Sequence, residues 1–140
     1  MMQMFIEPPE KLSQLLDIMH NECGVGDVES VVGGTQVNLS GCQWKILHKF
    51  LRQIPNHERI SGIWTTRIKK GGYHISHNHP DGRTSGVYYL RTGDGGELRL
   101  GDETITPKPG LLIEFDSKTQ HGTLPFKGEG TRLTIAFDMK

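Results

Sequence analysis

Several features are scarce in this chain of 140 residues, and each scarcity excludes a class of protein. Cysteine occurs only at Cys23 and Cys42, outside any Cys-x-x-Cys motif, so we expect free thiols in a reducing compartment. A long apolar run is also missing, which argues against a spanning helix or a signal peptide. The 16 basic and 16 acidic residues cancel, so neither a nucleic-acid nor a membrane surface is expected. These absences together predict a cytoplasmic protein.

Glycine, in contrast, is plentiful. The chain has 18 glycines and seven prolines, which indicates many turns and favours β structure. A mass of 15.7 kDa is that of one domain of ordinary size, so residues 1–140 are expected to form a single domain.

The first 58 residues are predicted to form a helical buttress. Leucines recur at helical spacing between Glu10 and Asn21, which predicts an amphipathic helix. Short strands are expected around Val31-Val32 and over Gln36 to Leu39. A second helix would begin at Ser40, which can cap it, and end before Pro55.

Residues 59–140 have a different pattern, typical of a β-barrel or jelly roll. Seven or eight short apolar stretches alternate with turn sequences rich in glycine and proline. The first stretch, Ile60 to Ile68, is expected to end in a turn at Lys69-Lys70-Gly71-Gly72. The chain is therefore predicted to be mainly β, with N-terminal helices packed on one sheet.

Histidines at His77 and His79 form the motif with the clearest chemistry. Residues two apart on a strand point to the same side, so both rings can turn toward one metal ion. His121 follows the apolar run Leu111–Phe115 and supplies a third imidazole, whereas His74 has the opposite strand parity to His77. Neutral imidazole suits iron, zinc, copper and nickel, so the ligands alone do not identify the metal.

Arg132 and Thr134 share one face of the last predicted strand and suggest an anion pocket. A guanidinium binds a carboxylate through paired, charge-assisted hydrogen bonds, and a hydroxyl two residues away can reach the same anion. Tyr89 lies on one face of its strand with Ser85 and Val87, whereas Tyr88 lies on the other.

Residues 60–140 resemble the 2-oxoglutarate- and Fe(II)-dependent oxygenases, which have a double-stranded β-helix, a jelly-roll or cupin-like barrel. The likeness is strongest to a small prolyl-hydroxylase-like branch with a His-x-His-Pro motif. The matching segments, in the family's order, are Gly72, His77-Asn78-His79-Pro80, Ser85-Gly86-Val87-Tyr88-Tyr89-Leu90, Gly95-Gly96-Glu97-Leu98, Pro109–Phe115, His121 and Arg132-Leu133-Thr134.

The resemblance implies an enzyme that uses Fe(II), 2-oxoglutarate and O2. It would hydroxylate a C–H bond of a small-molecule or peptidyl substrate and release succinate and CO2. His77 matches the first metal ligand and His121 the distal one. Arg132 matches the arginine that holds the far carboxylate of 2-oxoglutarate, while Thr134 and Tyr89 match residues that support the same carboxylate.

One position departs from the usual ligand set of two histidines and one carboxylate. His79 stands where the carboxylate is expected, which would give a site of three histidines, His77, His79 and His121. Alternatively, Asp81 could supply the carboxylate through a shifted register, since His79-Pro80-Asp81 also has the spacing His-x-Asp. We favour His77 and His79.

Two other interpretations compete with the oxygenase. A cupin-type metalloenzyme could use three histidines without 2-oxoglutarate, and a non-enzymatic barrel could keep a metal for stability. The Arg132-x-Thr134 pair favours the oxygenase, because a cupin does not require it. Exposed strand edges could also pair two copies into a homodimer.

Overall fold

Two antiparallel β-sheets form most of the molecule, for which the computed structural model describes residues 1–26, 28, 30–40, 43–79 and 83–140. The strands in these ranges are β1 Met2–Phe5, β2 Val25–Gly26, β3 Val31–Leu39, β4 Ile60–His74, β5 Thr84–Arg91, β6 Leu98–Leu100, β7 Glu103–Ile105, β8 Leu111–Asp116, β9 His121–Thr123 and β10 Thr131–Met139. The helices are α1 Leu12–Cys23, α2 Gln43–Ile46 and α3 His48–Leu51, with a 3₁₀ turn at His57–Arg59.

The larger sheet has seven strands in the order β1-β8-β5-β10-β4-β3-β2, and the smaller has three in the order β7-β6-β9. Apolar side chains from β5, β6 and β8 pack between the two sheets. This arrangement confirms the predicted jelly-roll fold, mainly β with a helix laid against one sheet. Within the described ranges, no helix is long and apolar enough to cross a membrane.

Strand β10 lies near the middle of the larger sheet and divides the interior into two parts. Leu133, Ile135 and Phe137 are fully buried on the face that packs against helix α1. Burying each such side chain stabilises the fold by roughly 1.5–3 kcal/mol. Arg132 and Thr134 alternate with them and point to the opposite face, as the period of two in a strand requires.

Gly86 in β5 is directly opposite Phe137 in β10. A Cβ atom at this position would collide with the ring of Phe137, so the strand pair needs glycine here. The glycine in the Ser-Gly-Val-Tyr-Tyr segment therefore has a packing role.

Helix α1 is attached to the sheet by polar as well as apolar contacts. His20 Nδ1 lies 2.7 Å from Thr35 Oγ1, and His20 Nε2 lies 3.2 Å from Thr65 Oγ1. Arg91 donates two hydrogen bonds of 2.9 Å to the carboxylate of Asp17. These pairs fix the helix over the core face of the larger sheet.

The N-terminal region contributes strands to the larger sheet as well as helices. Strand β1 pairs with β8, and β3 pairs with β4 along most of its length. The two short strands expected between Val31 and Leu39 form this one strand, β3. The second predicted helix is shorter than expected and is interrupted at Leu47, and its start falls partly outside the described residues. The division of the chain at residue 58 stays a prediction.

The predicted turn at Lys69–Gly72 is wrong, because β4 continues through it to His74. The pairing of β4 with β3 shifts register between Val32 and Gly34, where the four residues form a bulge. Phe126 exchanges backbone hydrogen bonds of 2.7 and 2.9 Å with Gly71 and Gly72, so the bulge is held by a partner distant in sequence. A glycine pair normally indicates a turn, and this partner is not evident from the local pattern.

Candidate metal centre and anion pocket

A cavity of about 590 Å³ lies on the face of the larger sheet opposite helix α1. Its volume is within the usual range for small-ligand sites. Its lining includes His77, His79 and His121 together with Arg132 and Thr134. The sequence-predicted histidines and the predicted anion pocket therefore line one cavity.

The three histidines are brought together by backbone hydrogen bonds between distant segments. His77 and His121 form an isolated β-bridge, with reciprocal N–O distances of 2.9 and 2.8 Å. The amide of His79 donates to Ser117 O at 2.8 Å, which fixes the same segment two residues later. One ring nitrogen from each histidine lies within 4.8 Å of the other two. The spacing is suitable for holding one metal ion.

The Nδ1 atom of each ring already has a partner. His77 Nδ1 lies 2.7 Å from Ile75 O, and His121 Nδ1 lies 2.8 Å from Thr119 O. Carbonyl oxygens accept hydrogen bonds, so Nδ1 carries the proton in both rings and Nε2 keeps a free lone pair. His79 Nδ1 faces the carboxylate of Asp138 at 3.2 Å, which leaves its Nε2 free in the same way.

Burial keeps two of the cavity histidines, His74 and His121, neutral. Desolvation lowers the pKa of His121 to about 4, well below the ordinary value of 6.5. His74 also lines the cavity, and desolvation followed by the nearby charge of Arg132 lowers its pKa to about 3. Metal ions bind the neutral imidazole, so His121 is ready to act as a ligand at neutral pH.

Arg132 carries a buried positive charge in the same cavity. Its side chain is only 2% exposed, and desolvation lowers its pKa. It donates a hydrogen bond of 3.2 Å to Gly96 O, while its Nε has no hydrogen-bond partner among the described residues. A buried guanidinium without a carboxylate is costly, so the pocket is suited to an anionic ligand.

Thr134 and Tyr89 lie beside the arginine. The two residues are directly opposite each other on β10 and β5, and both are almost completely buried. Burial raises the pKa of Tyr89, so its hydroxyl stays protonated and can donate to a carboxylate. Tyr88 points to the other face, where its hydroxyl donates to Ile6 O at 2.8 Å.

Sequence analysis missed two polar residues at the metal end of the cavity, Asp138 and Ser85. Ser85 Oγ donates a hydrogen bond of 2.7 Å to Asp138 Oδ1, and both contact His79 Nδ1. Asp138 has the same strand parity as Arg132 and Thr134, so extending the period-two pattern would have placed it on the cavity face, though not beside His79. Asp81, the alternative carboxylate ligand, lies outside the described residues.

The residues present fit both Fe(II) and 2-oxoglutarate. Three imidazole nitrogens form a donor set that can bind iron, and the cavity wall adds a guanidinium whose Nε is left without a partner by the described residues. The cationic and metal-binding groups share one cavity, as a chelating dicarboxylate would require.

Comparison with known proteins identifies the family. A family model of 2OG-Fe(II) oxygenases matches residues 62–105 and 101–138, which together span more than half of the chain. This chain belongs to the 2OG-Fe(II) oxygenase family. The oxygenase is therefore an enzyme that depends on Fe(II), 2-oxoglutarate and O2, as the sequence resemblance implied. No curated protein matches the chain.

Solved structures share its fold at low sequence identity. A prolyl-4-hydroxylase from Pseudomonas putida is 18% identical, with a TM-score of 0.74, covering 99% of this chain and 91% of that one. A prolyl hydroxylase from Trichoplax adhaerens, in complex with a peptide fragment of the hypoxia-inducible factor oxygen degradation domain, is 18% identical with a TM-score of 0.69, covering 98% and 83%. The viral collagen prolyl hydroxylase of Paramecium bursaria Chlorella virus-1, solved as a 2OG complex, is 20% identical with a TM-score of 0.62, covering 97% and 94%.

The family match favours the oxygenase over the two competing interpretations. Cupin-like barrels share the jelly-roll architecture, so the fold alone does not separate a cupin-type enzyme from an oxygenase. The family model makes that distinction, and it also argues against a non-enzymatic metal-binding module.

Proposed function

We propose that this oxygenase hydroxylates a C–H bond with Fe(II) held by His77, His79 and His121 and with 2-oxoglutarate held by Arg132. One observation carries the assignment. A buried guanidinium, whose Nε has no hydrogen-bond partner in the part of the chain that the structure describes, lies in the same cavity as three convergent imidazole nitrogens. Few ligands need both a metal and a distant cation, and a keto dicarboxylate is one of them.

The roles of the pocket residues follow from their chemistry. Arg132 would bind the far carboxylate of 2-oxoglutarate, because its free Nε and its fork geometry suit two parallel hydrogen bonds. Thr134 and Tyr89 would donate their hydroxyl protons to the same carboxylate. The apolar wall formed by Val87 and Phe115 would exclude water from the space between the two ends.

Bound Fe(II) supplies the oxidising chemistry, in which O2 and 2-oxoglutarate yield succinate, CO2 and the hydroxylated substrate. The side chains of this chain need only position the reactants and keep the imidazoles neutral. No general base is required. His74 would therefore serve only as an uncharged ring in the wall of the cavity.

The substrate that we propose is a residue of a peptide. The fold is shared with prolyl hydroxylases, one of which is bound to a peptide fragment. Trp64 and Ile75 line the cavity, and Ile75 is 47% exposed, which offers an apolar rim to an incoming chain. Incubation with prolyl peptides and with free amino acids, followed by mass spectrometry, would separate the two classes through the addition of one oxygen atom.

We also propose that residues 1–140 form one domain, with a buttress over residues 1–58 and a double-stranded β-helix core over residues 59–140. The packing of α1 against the core face supports this division, although β1 and β3 also complete the sheet.

The exposed free thiol of Cys23 is compatible with the cytoplasm, which fractionation of cells would test. Strands β1 and β2 are edges where a homodimer could form, and light scattering would measure it.

The ligand assignment can be tested with 2-oxoglutarate turnover in the presence of Fe(II) and ascorbate, measured as succinate release. We expect His121→Ala to abolish metal binding and succinate release together. Arg132→Met is the matched variant for the other end of the cavity. It should bind the metal normally but weaken 2-oxoglutarate binding by about 10–100-fold, since a charge-assisted hydrogen bond contributes about 1.5–3 kcal/mol.

Separate assays for metal and for 2-oxoglutarate make the result decisive. If Arg132→Met binds 2-oxoglutarate as tightly as the unaltered protein, the anion pocket has been placed wrongly. If His121→Ala keeps the metal, the three-histidine set is wrong.

A further inference from the structure

A carboxylate stands behind one of the three histidines. Asp138 Oδ1 lies 3.2 Å from His79 Nδ1 and accepts a hydrogen bond of 2.7 Å from Ser85 Oγ. The side chains of His79 and Asp138 are mostly shielded, at 23% and 14% exposure. Their contact is therefore better protected from solvent than an ordinary surface ion pair.

The sheet places this carboxylate through its register. Asp138 in β10 is directly opposite Ser85 in β5, which explains their short hydrogen bond. The pairing of β10 with β4 shifts register between Asp138 and Met139. The irregularity begins after Asp138, so Asp138 keeps the regular alternation that places it on the cavity face with Arg132 and Thr134.

The environment of His79 differs from that of the other two histidines. The Nδ1 atoms of His77 and His121 face backbone carbonyls, which are neutral acceptors. The Nδ1 of His79 faces a carboxylate, so its hydrogen bond is charge-assisted and its Nε2 becomes a stronger donor to a metal. His79 is also the residue that stands where a metal-ligating carboxylate is usual in this family.

We propose that Asp138 is a positioning residue that fixes the His79 ring and returns to the site the negative charge that a three-histidine ligand set lacks. The carboxylate binds Nδ1 of the imidazole and does not bind the metal itself. Ser85 would hold Asp138 in place through its hydroxyl. This inference rests on the proposed assignment of His77, His79 and His121 as ligands.

Titration of the metal-free protein with Co(II), followed by visible absorption, tests the proposal without any turnover. We expect Asp138→Asn to weaken Co(II) binding by about 10–100-fold and to change the absorption bands, because the altered ring donates differently. Asp138→Glu should recover part of the affinity, and Ser85→Ala should cause a smaller loss. Asp102→Asn, which makes the same chemical change at an exposed turn, serves as the matched control.

Three results would overturn the inference. Co(II) binding and spectrum in Asp138→Asn could equal those of the unaltered protein, in which case the carboxylate has no influence on the ligand. The metal-free Asp138→Asn and Ser85→Ala proteins could both melt far below the unaltered protein, which would assign the pair a structural role. Equal Co(II) binding by the unaltered protein and by His121→Ala, including no binding by either, would instead refute the proposed ligands on which the inference rests.

Discussion

The two faces of strand β10 differ in what their buried residues gain from the fold. On the core face, Leu133 and Ile135 pack tightly among apolar neighbours under helix α1. On the cavity face, Arg132 is equally buried, but within the described ranges its Nε and the hydroxyl of Thr66 on the adjacent strand have no hydrogen-bond partner. Adjacent residues of one strand thus stabilise the fold on one side and, in the function proposed above, bind a ligand on the other.

This difference shows that burial alone does not indicate a stabilising residue. An apolar side chain gains free energy when it leaves water, whereas a polar group loses free energy unless it finds a partner. The polar groups of the cavity face therefore lower the free energy of unfolding, and apolar burial on the core face offsets this loss. Substitutions on the core face should therefore lower the free energy of unfolding more than substitutions on the cavity face, and removal of the buried charge should raise it.

The largest effect is expected on the core face. Ile135→Ala should reduce the free energy of unfolding by about 2–5 kcal/mol, because it removes buried methyl groups and leaves a void. Thr134→Ala is the matched variant one residue away, and it should cost only about 1 kcal/mol, since its side chain already borders an open cavity. Urea denaturation of the metal-free proteins measures both, and equal losses would contradict the division into two faces.

A smaller effect is expected from pH, through His20 on the core side. Desolvation lowers the pKa of His20 from 6.5 to about 4 in the folded protein. Thr65 Oγ1 donates its proton to Thr134 O, so it can only accept from His20 Nε2. In the neutral ring that the lowered pKa favours, Nδ1 then accepts from Thr35 Oγ1.

Between pH 6.5 and about 4 the unfolded chain binds a proton at His20 that the folded protein does not. The contribution of neutral His20 to the free energy of unfolding is therefore complete above pH 6.5 and is lost as the pH falls through this window. Between pH 7.5 and 4.5, we expect the free energy of unfolding of His20→Gln to fall by about 2–3 kcal/mol less than that of the unaltered protein. If urea titrations of the two proteins at these pH values give parallel losses, the histidine has the same pKa in the folded and unfolded states.

The smallest effect should have the opposite sign. Arg132→Met keeps an unbranched stem but removes an incompletely paired buried charge, so we expect the metal-free protein to gain about 1–2 kcal/mol. Thermal unfolding with and without 2-oxoglutarate measures the change. A loss of stability in the absence of the ligand would mean that the guanidinium is satisfied within the fold.

Much of the fold could be predicted from local pattern. Strand periodicity separated Tyr88 from Tyr89 and placed Arg132 beside Thr134, because a side chain's face depends only on its position in a strand. The continuation of β4 through Gly71 and Gly72 could not be predicted, since the bulge depends on Phe126, a partner distant in sequence.

The candidate site was predictable only where the family motif covers it. His77, His79 and His121 were expected to meet, and their nitrogens do lie within reach of one ion. Asp138 was missed because its role arises from the alignment of β10 with β5, which brings it opposite Ser85. Residues that act through another residue have no motif of their own, so register must be known before they can be found.

The orientation of the histidine rings has a practical consequence for anyone who isolates this protein. Hydrogen bonds to Ile75 O and Thr119 O fix two of the imidazoles before any ion arrives. A preformed set of three imidazoles does not discriminate between ferrous iron and other divalent metals. Nickel, copper and zinc all bind nitrogen donors more strongly than iron does. Material recovered from a nickel resin should consequently be mismetallated and inert until it is stripped with a chelator and reloaded with ferrous salt under anaerobic conditions.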